Sequence, residues 1–96
     1  MKLLTKANEA SLPALYANEK VADPIVQVKF FTPDSSWTWY ATEYDPKERR
    51  FFGLVDGHEK ELGYFMLDEL ASARGPMGLP IERDRHFKPC PLSEVS

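Results

Sequence analysis

Cysteine is almost absent from this sequence, which has Cys90 as its single thiol. One thiol cannot form an internal disulfide, and a cysteine pair that could clip a metal ion is missing. A lone thiol is typical of a reducing compartment. The sequence also lacks an apolar run of about 18 residues, the length that indicates a membrane span, and its first residues are too polar for a signal peptide. We therefore expect a cytoplasmic protein that does not enter membranes.

An excess of charge of one sign is also lacking. The chain carries 15 acidic and 12 basic residues, a formal net charge of −3, and neither sign forms a long block. Proteins that bind nucleic acid attract phosphates through a net basic footprint or a basic patch. The composition therefore indicates no general attraction for nucleic acid, and the acidic excess is too small for a protein that imitates DNA.

No catalytic or metal-binding set is visible in the sequence. His58 and His86 lie far apart, whereas zinc sites need three or four convergent ligands. Cys90 stands between two prolines, and no neighbour in sequence would activate its thiol. Residues 75–78 (GPMG) lack the lysine and the serine or threonine of a phosphate loop. We therefore predict no catalytic residue, no metal and no cofactor, and we favour a non-enzymatic role.

A globular composition and an alternating pattern are present. Hydrophobic residues make up 43% of the chain and aromatic residues 12%, which predicts a packed core in a single domain over residues 1–96. Apolar and polar side chains alternate over residues 25–32 and 37–44, and further strand signals follow at 51–55 and 61–65. Short turns join these segments, and short links are typical of antiparallel neighbours.

Helix signals flank the predicted strands. Thr5 is a suitable N-cap for a helix that ends near Ala10 or Ser11, before Pro13. Residues 67–74 have helical spacing, with Gly75 expected at the C′ position. Residues 81–87 fit either a short edge strand or an extended loop. The predicted fold class is α+β: a four-stranded antiparallel meander packed with an N-terminal helix and a helix near 67–74, followed by an irregular, proline-rich C-terminal segment.

Aromatic residues are concentrated in the predicted strands. Alternation over residues 37–44 puts Trp37 and Trp39 on one face and Tyr40 and Tyr44 on the other. Such side chains either fill the core of a small domain or remain exposed for a partner, as in platforms that stack single-stranded nucleic acid beside Lys or Arg. The candidate partner surface consists of Trp37, Trp39, Tyr40, Phe51, Phe52, Arg83, Arg85 and Lys88.

Several strings carry a family resemblance: VKFFTPDS at 28–35, WTWY at 37–40, FGLVDG at 52–57, ELGYF at 61–65, RGP at 74–76 and GLPIERD at 78–84. From about Leu3 to Val95, the chain resembles a bacterial domain family of unknown function that is known only by a number. The resemblance implies a mobile-element context, on plasmids and integrative conjugative elements, and implies no activity or site. Met66 departs from the family pattern, which has a serine there, and methionine cannot cap the following helix.

These observations predict a small non-enzymatic accessory protein of a mobile genetic element. We expect it to bind another macromolecule, preferably a protein, with a role against host defence as one form of this function, and to be a monomer or a weak homodimer. Two alternatives stay open. One is a single-stranded nucleic-acid-binding domain that uses the aromatic residues with Lys29, Arg49 and Arg50. The other is a small hydrolase that uses carboxylates with His58 or His86.

Overall fold

The computed structural model describes residues 2–96, in which an antiparallel sheet is the largest element. The elements follow in the order α1 (Lys6–Ser11), β1 (Ile25–Val26), β2 (Val28–Phe31), β3 (Thr38–Asp45), β4 (Arg50–Asp56), β5 (Lys60–Met66), α2 (Leu67–Ser72), β6 (Glu82–Arg83), β7 (Cys90–Pro91) and a 3-10 helix (Leu92–Glu94). The main sheet has the order β5-β4-β3-β2-β6, and β1 pairs with β7. The α+β class and the antiparallel pairing are thereby confirmed.

The number of strands in the main sheet differs from the prediction. β6 pairs with β2, so the sheet has five strands rather than four. The first predicted strand, residues 25–32, is also divided at Gln27: β1 pairs with β7, whereas β2 continues in the main sheet. Both differences have the same cause. β6 and β7 come from the C-terminal part of the chain and pair with β2 and β1, and a local sequence pattern does not show pairing with a distant segment.

A β-bulge in β3 changes which side chains face the core. Ala41 pairs with Gly53, but the next pair along the ladder is Glu43 with Phe52, so Thr42 is an extra residue. An extra residue reverses the alternation beyond it. The prediction that Tyr44 shares a face with Tyr40 is therefore wrong: Tyr44 is buried in the core, and Glu43 lies on the opposite face of the sheet.

The hydrophobic core lies between one face of the main sheet and the helices with their adjoining loops. Strands contribute Val28, Phe30, Ala41, Tyr44, Phe51 and Phe65, and the other segments contribute Leu4, Leu12, Leu67, Leu70 and Ile81. The ring of Phe51 is at the centre of this cluster, with centroids of Phe30, Tyr44 and Phe65 at 5.4, 4.6 and 5.2 Å. Aromatic packing of this kind supplies much of the burial available to a small domain.

The helix ends show which capping predictions hold. Thr5 caps α1: its hydroxyl accepts a hydrogen bond from Asn8 N at 3.1 Å, and Asn8 Oδ1 accepts one from Thr5 N at 3.0 Å. The Met66 side chain makes no capping bond at α2, as expected. α2 ends before Arg74, because Ala73 is already extended, and Gly75 is not its C′ residue. Instead, the Arg74 guanidinium donates to the carbonyls of Ala71 and Ala73.

The second face of the sheet is partly covered by the segment that precedes β1 and by the C-terminal turn. Asp23 holds these two pieces together, because its carboxylate accepts hydrogen bonds from both the backbone N–H and the hydroxyl of Ser93, at 2.9 and 2.6 Å. In addition, Leu92 N donates to Pro24 O at 2.9 Å. The cover is incomplete, and it leaves a pocket beside β5.

Among residues 2–96, every helix is too short or too polar to span a lipid bilayer.

Candidate functional site

The residues of the sequence-derived surface do not form one surface. Phe51 is fully buried and belongs to the core, so its assignment to a partner surface is wrong; the burial follows from its position at the centre of the inner sheet face. Trp39 is half-buried and packs against the same core. Trp37 is half-buried on that side, with the imidazole of His58 edge-on at 5.4 Å.

The remaining members of that set lie elsewhere. The Tyr40 and Phe87 ring centroids are 6.3 Å apart, and Lys29 Nζ lies 5.9 Å from the Tyr40 ring. Phe52 is half-buried on the outer face of the sheet. Arg83 is half-buried and donates to the carbonyl of Lys2, whereas Arg85 and Lys88 are exposed. The structure therefore divides the proposed aromatic and basic set among the core and separate parts of the surface.

The pocket beside β5 contains residues that sequence reasoning missed. Its volume is about 350 Å³. It lies on the outer face of the sheet, between β3, β4 and β5 on one side and the segment before β1 on the other. We call it the Glu43 pocket; its lining includes Tyr16, Val21, Glu43, Phe52, Leu62 and Tyr64. Tyr16, Leu62 and Tyr64 are 62%, 58% and 51% exposed, so large apolar side chains face solvent here.

Glu43 lines this pocket although it is only 4% exposed. Its Oε1 accepts a hydrogen bond from Tyr16 N at 2.9 Å, and its Oε2 accepts one from Asn18 N at 2.7 Å. Asn18 Nδ2 donates to the carbonyl of Thr42, the bulge residue, at 3.3 Å. Buried carboxylates require such partners because desolvation is costly. The bulge therefore brings a carboxylate into the pocket, and two backbone amides fix its orientation.

The backbone of Tyr16 shows how this segment is constrained. Its φ is +70°, in the left-handed region that bulky residues rarely adopt. Such a conformation costs about 1–3 kcal/mol and persists where the surroundings enforce it. The Glu43 carboxylate supplies part of that enforcement, since it binds the Tyr16 amide. The Tyr16 side chain consequently stands at the rim of the pocket.

Two aromatic rings form adjacent walls of the Glu43 pocket. The ring centroids of Phe52 and Tyr64 are 5.1 Å apart, with 64° between the ring planes. A hydrogen bond between the side chains of Tyr64 and Tyr16 is the main reason that the pKa of Tyr64 is raised, with desolvation as the next cause. The Arg50 guanidinium lies 5.8 Å from the Tyr64 ring centroid, and Arg50 does not line the pocket.

The charges in the pocket have one sign. Of the described residues that line it, Glu19 and Glu43 are the ionisable acids, and none is a lysine or an arginine. The other contributors are mainly apolar or aromatic, including Val21, Pro24 and Leu92. The Glu43 pocket therefore combines apolar walls with negative charge.

Other candidate sites have weaker chemistry. A depression of about 680 Å³ beside the helices is lined by residues of both charges, including Glu9, Arg49 and Glu82. Burial, followed by the carboxylates of Glu94 and Asp23, raises the pKa of the Cys90 thiol, which is the opposite of an activated nucleophile. Over residues 2–96, no group of three or more His, Cys, Asp or Glu side chains is arranged to hold a metal ion.

A local signal for the Glu43 pocket does exist in the sequence, in two parts. Leu62 and Tyr64 lie on one face of a strand in which Glu61 and Gly63 occupy the other, so an apolar outer face was visible. The second part is Glu43, a carboxylate within the predicted strand at residues 37–44. The sequence does not show that Glu43, Leu62 and Tyr64 lie beside Tyr16, because the bulge and the position of the segment before β1 are tertiary features.

Comparisons with known proteins identify the family. Searches of the curated proteins and of the solved structures gave no match. One family model matches residues 3–95, nearly the whole chain, under the description "Protein of unknown function (DUF2958)". This match confirms the resemblance to a numbered family of unknown function. The chain therefore belongs to the DUF2958 family.

Proposed function

We propose that this protein is a small, non-enzymatic accessory protein that binds another protein through the Glu43 pocket and the adjoining outer face of β5. The observation that carries the proposal is the exposure of Tyr16, Leu62 and Tyr64 together around one pocket. Contiguous exposed apolar side chains with polar groups at their rim are typical of protein interaction sites. Single exposed residues elsewhere need no such explanation.

The position of β5 supports the same proposal. β5 is an edge strand of the main sheet, with β4 as its neighbour. Seven residues make it longer than β6, the two-residue strand at the other edge. Edge strands present unpaired backbone groups that another chain can pair with, and strand addition is a common mode of peptide recognition. A partner on the pocket can therefore also contact the backbone of β5.

The family resemblance supports a biological setting for this binding. It implies carriage on plasmids and integrative conjugative elements, which carry small proteins that assist transfer or counter host defence. The partner in this proposal is accordingly a protein of the host or of the transfer apparatus, met in the cytoplasm. A single cysteine fits that compartment.

The two alternative functions have less support at this site. Single-stranded nucleic acid needs basic side chains beside its stacking aromatics, whereas the described lining of the Glu43 pocket carries only acidic charge. A hydrolase needs a histidine that can reach its substrate and a carboxylate. His58 packs edge-on against Trp37, near Glu59 and Glu61, in a shallow depression. A shallow depression does not enclose a substrate. Protein binding at the Glu43 pocket explains more of the exposed apolar surface.

A pull-down with a matched pair of variants tests the proposed function. The bait is the tagged full-length chain, and the lysate comes from a host that carries the mobile element. Leu62→Asp puts a charge into the pocket rim, and Met77→Asp makes the same change at a residue that is 81% exposed and outside the pocket. We expect one partner to be captured by the unmodified chain and by Met77→Asp, but not by Leu62→Asp.

The captured partner is then purified, and its binding is measured by calorimetry with the same three proteins. Circular dichroism checks that both variants fold. The proposed function is wrong if no specific partner is recovered, or if Leu62→Asp binds the purified partner as tightly as Met77→Asp does.

A further inference from the structure

We infer that the Glu43 pocket receives the side chain of a lysine from the protein partner, so that the pocket is a site for an alkylammonium group. This inference rests on the proposed function and specifies its chemistry. The pocket has aromatic walls, an anchored carboxylate, and a volume suited to one side chain rather than to a helix.

Aromatic side chains form walls of the pocket. Phe52 and Tyr64 stand at 64° to each other with centroids 5.1 Å apart, and Tyr16 lines the same pocket. Aromatic faces attract ammonium and guanidinium cations through their quadrupole. The Arg50 guanidinium, which lies outside the pocket lining, is 5.8 Å from the Tyr64 centroid, within the range of a cation–π interaction.

The Glu43 carboxylate supplies a fixed negative charge. Glu43 lines the pocket with 4% exposure, and each of its oxygens already accepts one backbone N–H. An ionised carboxylate has about four acceptor positions, so each oxygen can accept a further donor. Because the two amides hold the group in place, a cation that enters the pocket meets a preorganised negative charge rather than a mobile one.

The lining charges decide between a cation and other occupants. Glu19 joins Glu43, and no described lining residue carries a positive charge, so the lining repels an anionic ligand and offers no cation to bind it. A purely apolar side chain would remove water from Glu43 without replacing its hydrogen bonds. A lysine suits both the apolar walls and the acidic charge. Its methylene stem packs on apolar side chains such as Val21 and Leu62, while its ammonium reaches the carboxylate.

Lysine fits better than arginine for a geometric reason. Arginine is preferred where its planar fork can bind both oxygens of a carboxylate side by side. The backbone amides of Tyr16 and Asn18 already occupy one acceptor position on each Glu43 oxygen, and Glu43 is only 4% exposed, so the carboxylate offers little surface to a broad planar group. An ammonium is a compact charge that can approach a single oxygen.

An NMR titration tests this inference without the natural partner. The ¹⁵N-labelled full chain is titrated with N-acetyl-lysine methylamide, with the norleucine compound that has the same stem without the amine, and with the arginine compound, all at constant ionic strength. The amides of Tyr16 and Asn18 are the reporters, since they bind Glu43 directly. We expect saturable shifts of both amides with the lysine compound and none with the norleucine compound.

Two substitutions at one exposed position serve as variant and control. Tyr64→Leu removes a wall and should weaken binding of the lysine compound at least about fivefold, whereas Tyr64→Phe keeps the ring and should stay within about twofold. The inference is overturned if the lysine compound causes no shifts, if norleucine binds equally well, if arginine binds more tightly, or if both variants behave alike. If the lysine compound does not bind but capture of the partner still depends on Leu62, this inference alone is overturned. If capture of the partner does not depend on Leu62, the proposed function is overturned.

Discussion

The backbone amide of Tyr16 donates a 2.9 Å hydrogen bond to Glu43 Oε1, although the two residues are 27 positions apart in the chain. Together with the bond from Asn18 N to Oε2, it attaches the segment before β1 to the outer face of the sheet. The same bond contributes to holding Tyr16 at a positive φ, the conformation that places its ring at the pocket. One carboxylate thereby connects the fold of the segment with the shape of the site.

Replacement of Glu43 by glutamine should destabilise the protein. Glutamine has one acceptor oxygen and one NH₂ group, so either Tyr16 N or Asn18 N would face a donor and lose its partner. An unsatisfied buried donor costs about 1–3 kcal/mol, and we expect Glu43→Gln to lower the free energy of unfolding by that amount in urea denaturation. The control, Glu59→Gln, changes an exposed residue and should stay within about 0.5 kcal/mol of the unmodified protein. Equal stability of the two variants would contradict the anchoring role of Glu43.

Gly53 and Gly63 face each other on neighbouring strands, and alanine should have opposite effects at the two positions. A Cβ on Gly53 would lie 1.8 Å from the carbonyl oxygen of Tyr40, so the bulged strand β3 would have to move. We expect Gly53→Ala to cost at least about 3 kcal/mol or to prevent folding, because overpacking against backbone has no flexible escape. A Cβ on Gly63 meets nothing within 4 Å.

Gly63→Ala should therefore leave stability unchanged or raise it by up to about 1 kcal/mol, since alanine restricts the unfolded chain. Thermal unfolding of the two variants, followed by circular dichroism, measures the difference. If Gly53→Ala were as stable as Gly63→Ala, the close approach of β3 and β4 at the bulge would be wrong.

Asp23 should contribute a pH-dependent part of the stability. Hydrogen bonds from the Ser93 side chain and then from the Ser93 backbone lower the pKa of Asp23 below its ordinary value of 3.8. A carboxyl group whose pKa is lower in the folded state stabilises the fold above the unfolded-state pKa. This stabilisation disappears as the pH falls through the folded-state pKa. The attachment of the C-terminal turn should therefore weaken in acid.

Ser93→Ala should raise the pKa of Asp23 towards 3.8, because it removes the larger of the two hydrogen-bond contributions. Carboxyl ¹³C titration by NMR gives the midpoint for each protein. Ser72→Ala is the control, since the Ser72 hydroxyl binds the carbonyl of Glu69 and no carboxylate. An Asp23 midpoint that is the same in the unmodified protein and in Ser93→Ala would refute the assignment of this shift to the serine hydroxyl.

Local sequence patterns determined the α+β class, the positions of the strands at residues 38–45, 50–56 and 60–66 to within a residue or so, and the start of α1 at the Thr5 cap. These features depend on neighbours along the chain: alternation has a period of two, and a cap bonds three residues ahead. Turn residues between the strands then make antiparallel neighbours the simplest arrangement.

Tertiary structure alone decided which face of the sheet is buried, on which face Tyr44 lies and where the pocket lies. Thr42 as an extra residue in β3 sends Tyr44 into the core and Glu43 outwards, and no local pattern marks that residue as a bulge. The fifth strand and the Glu43 pocket likewise depend on segments that return from distant parts of the chain. Alternation specifies that a strand has two faces, but only the register with its neighbour determines which face is buried.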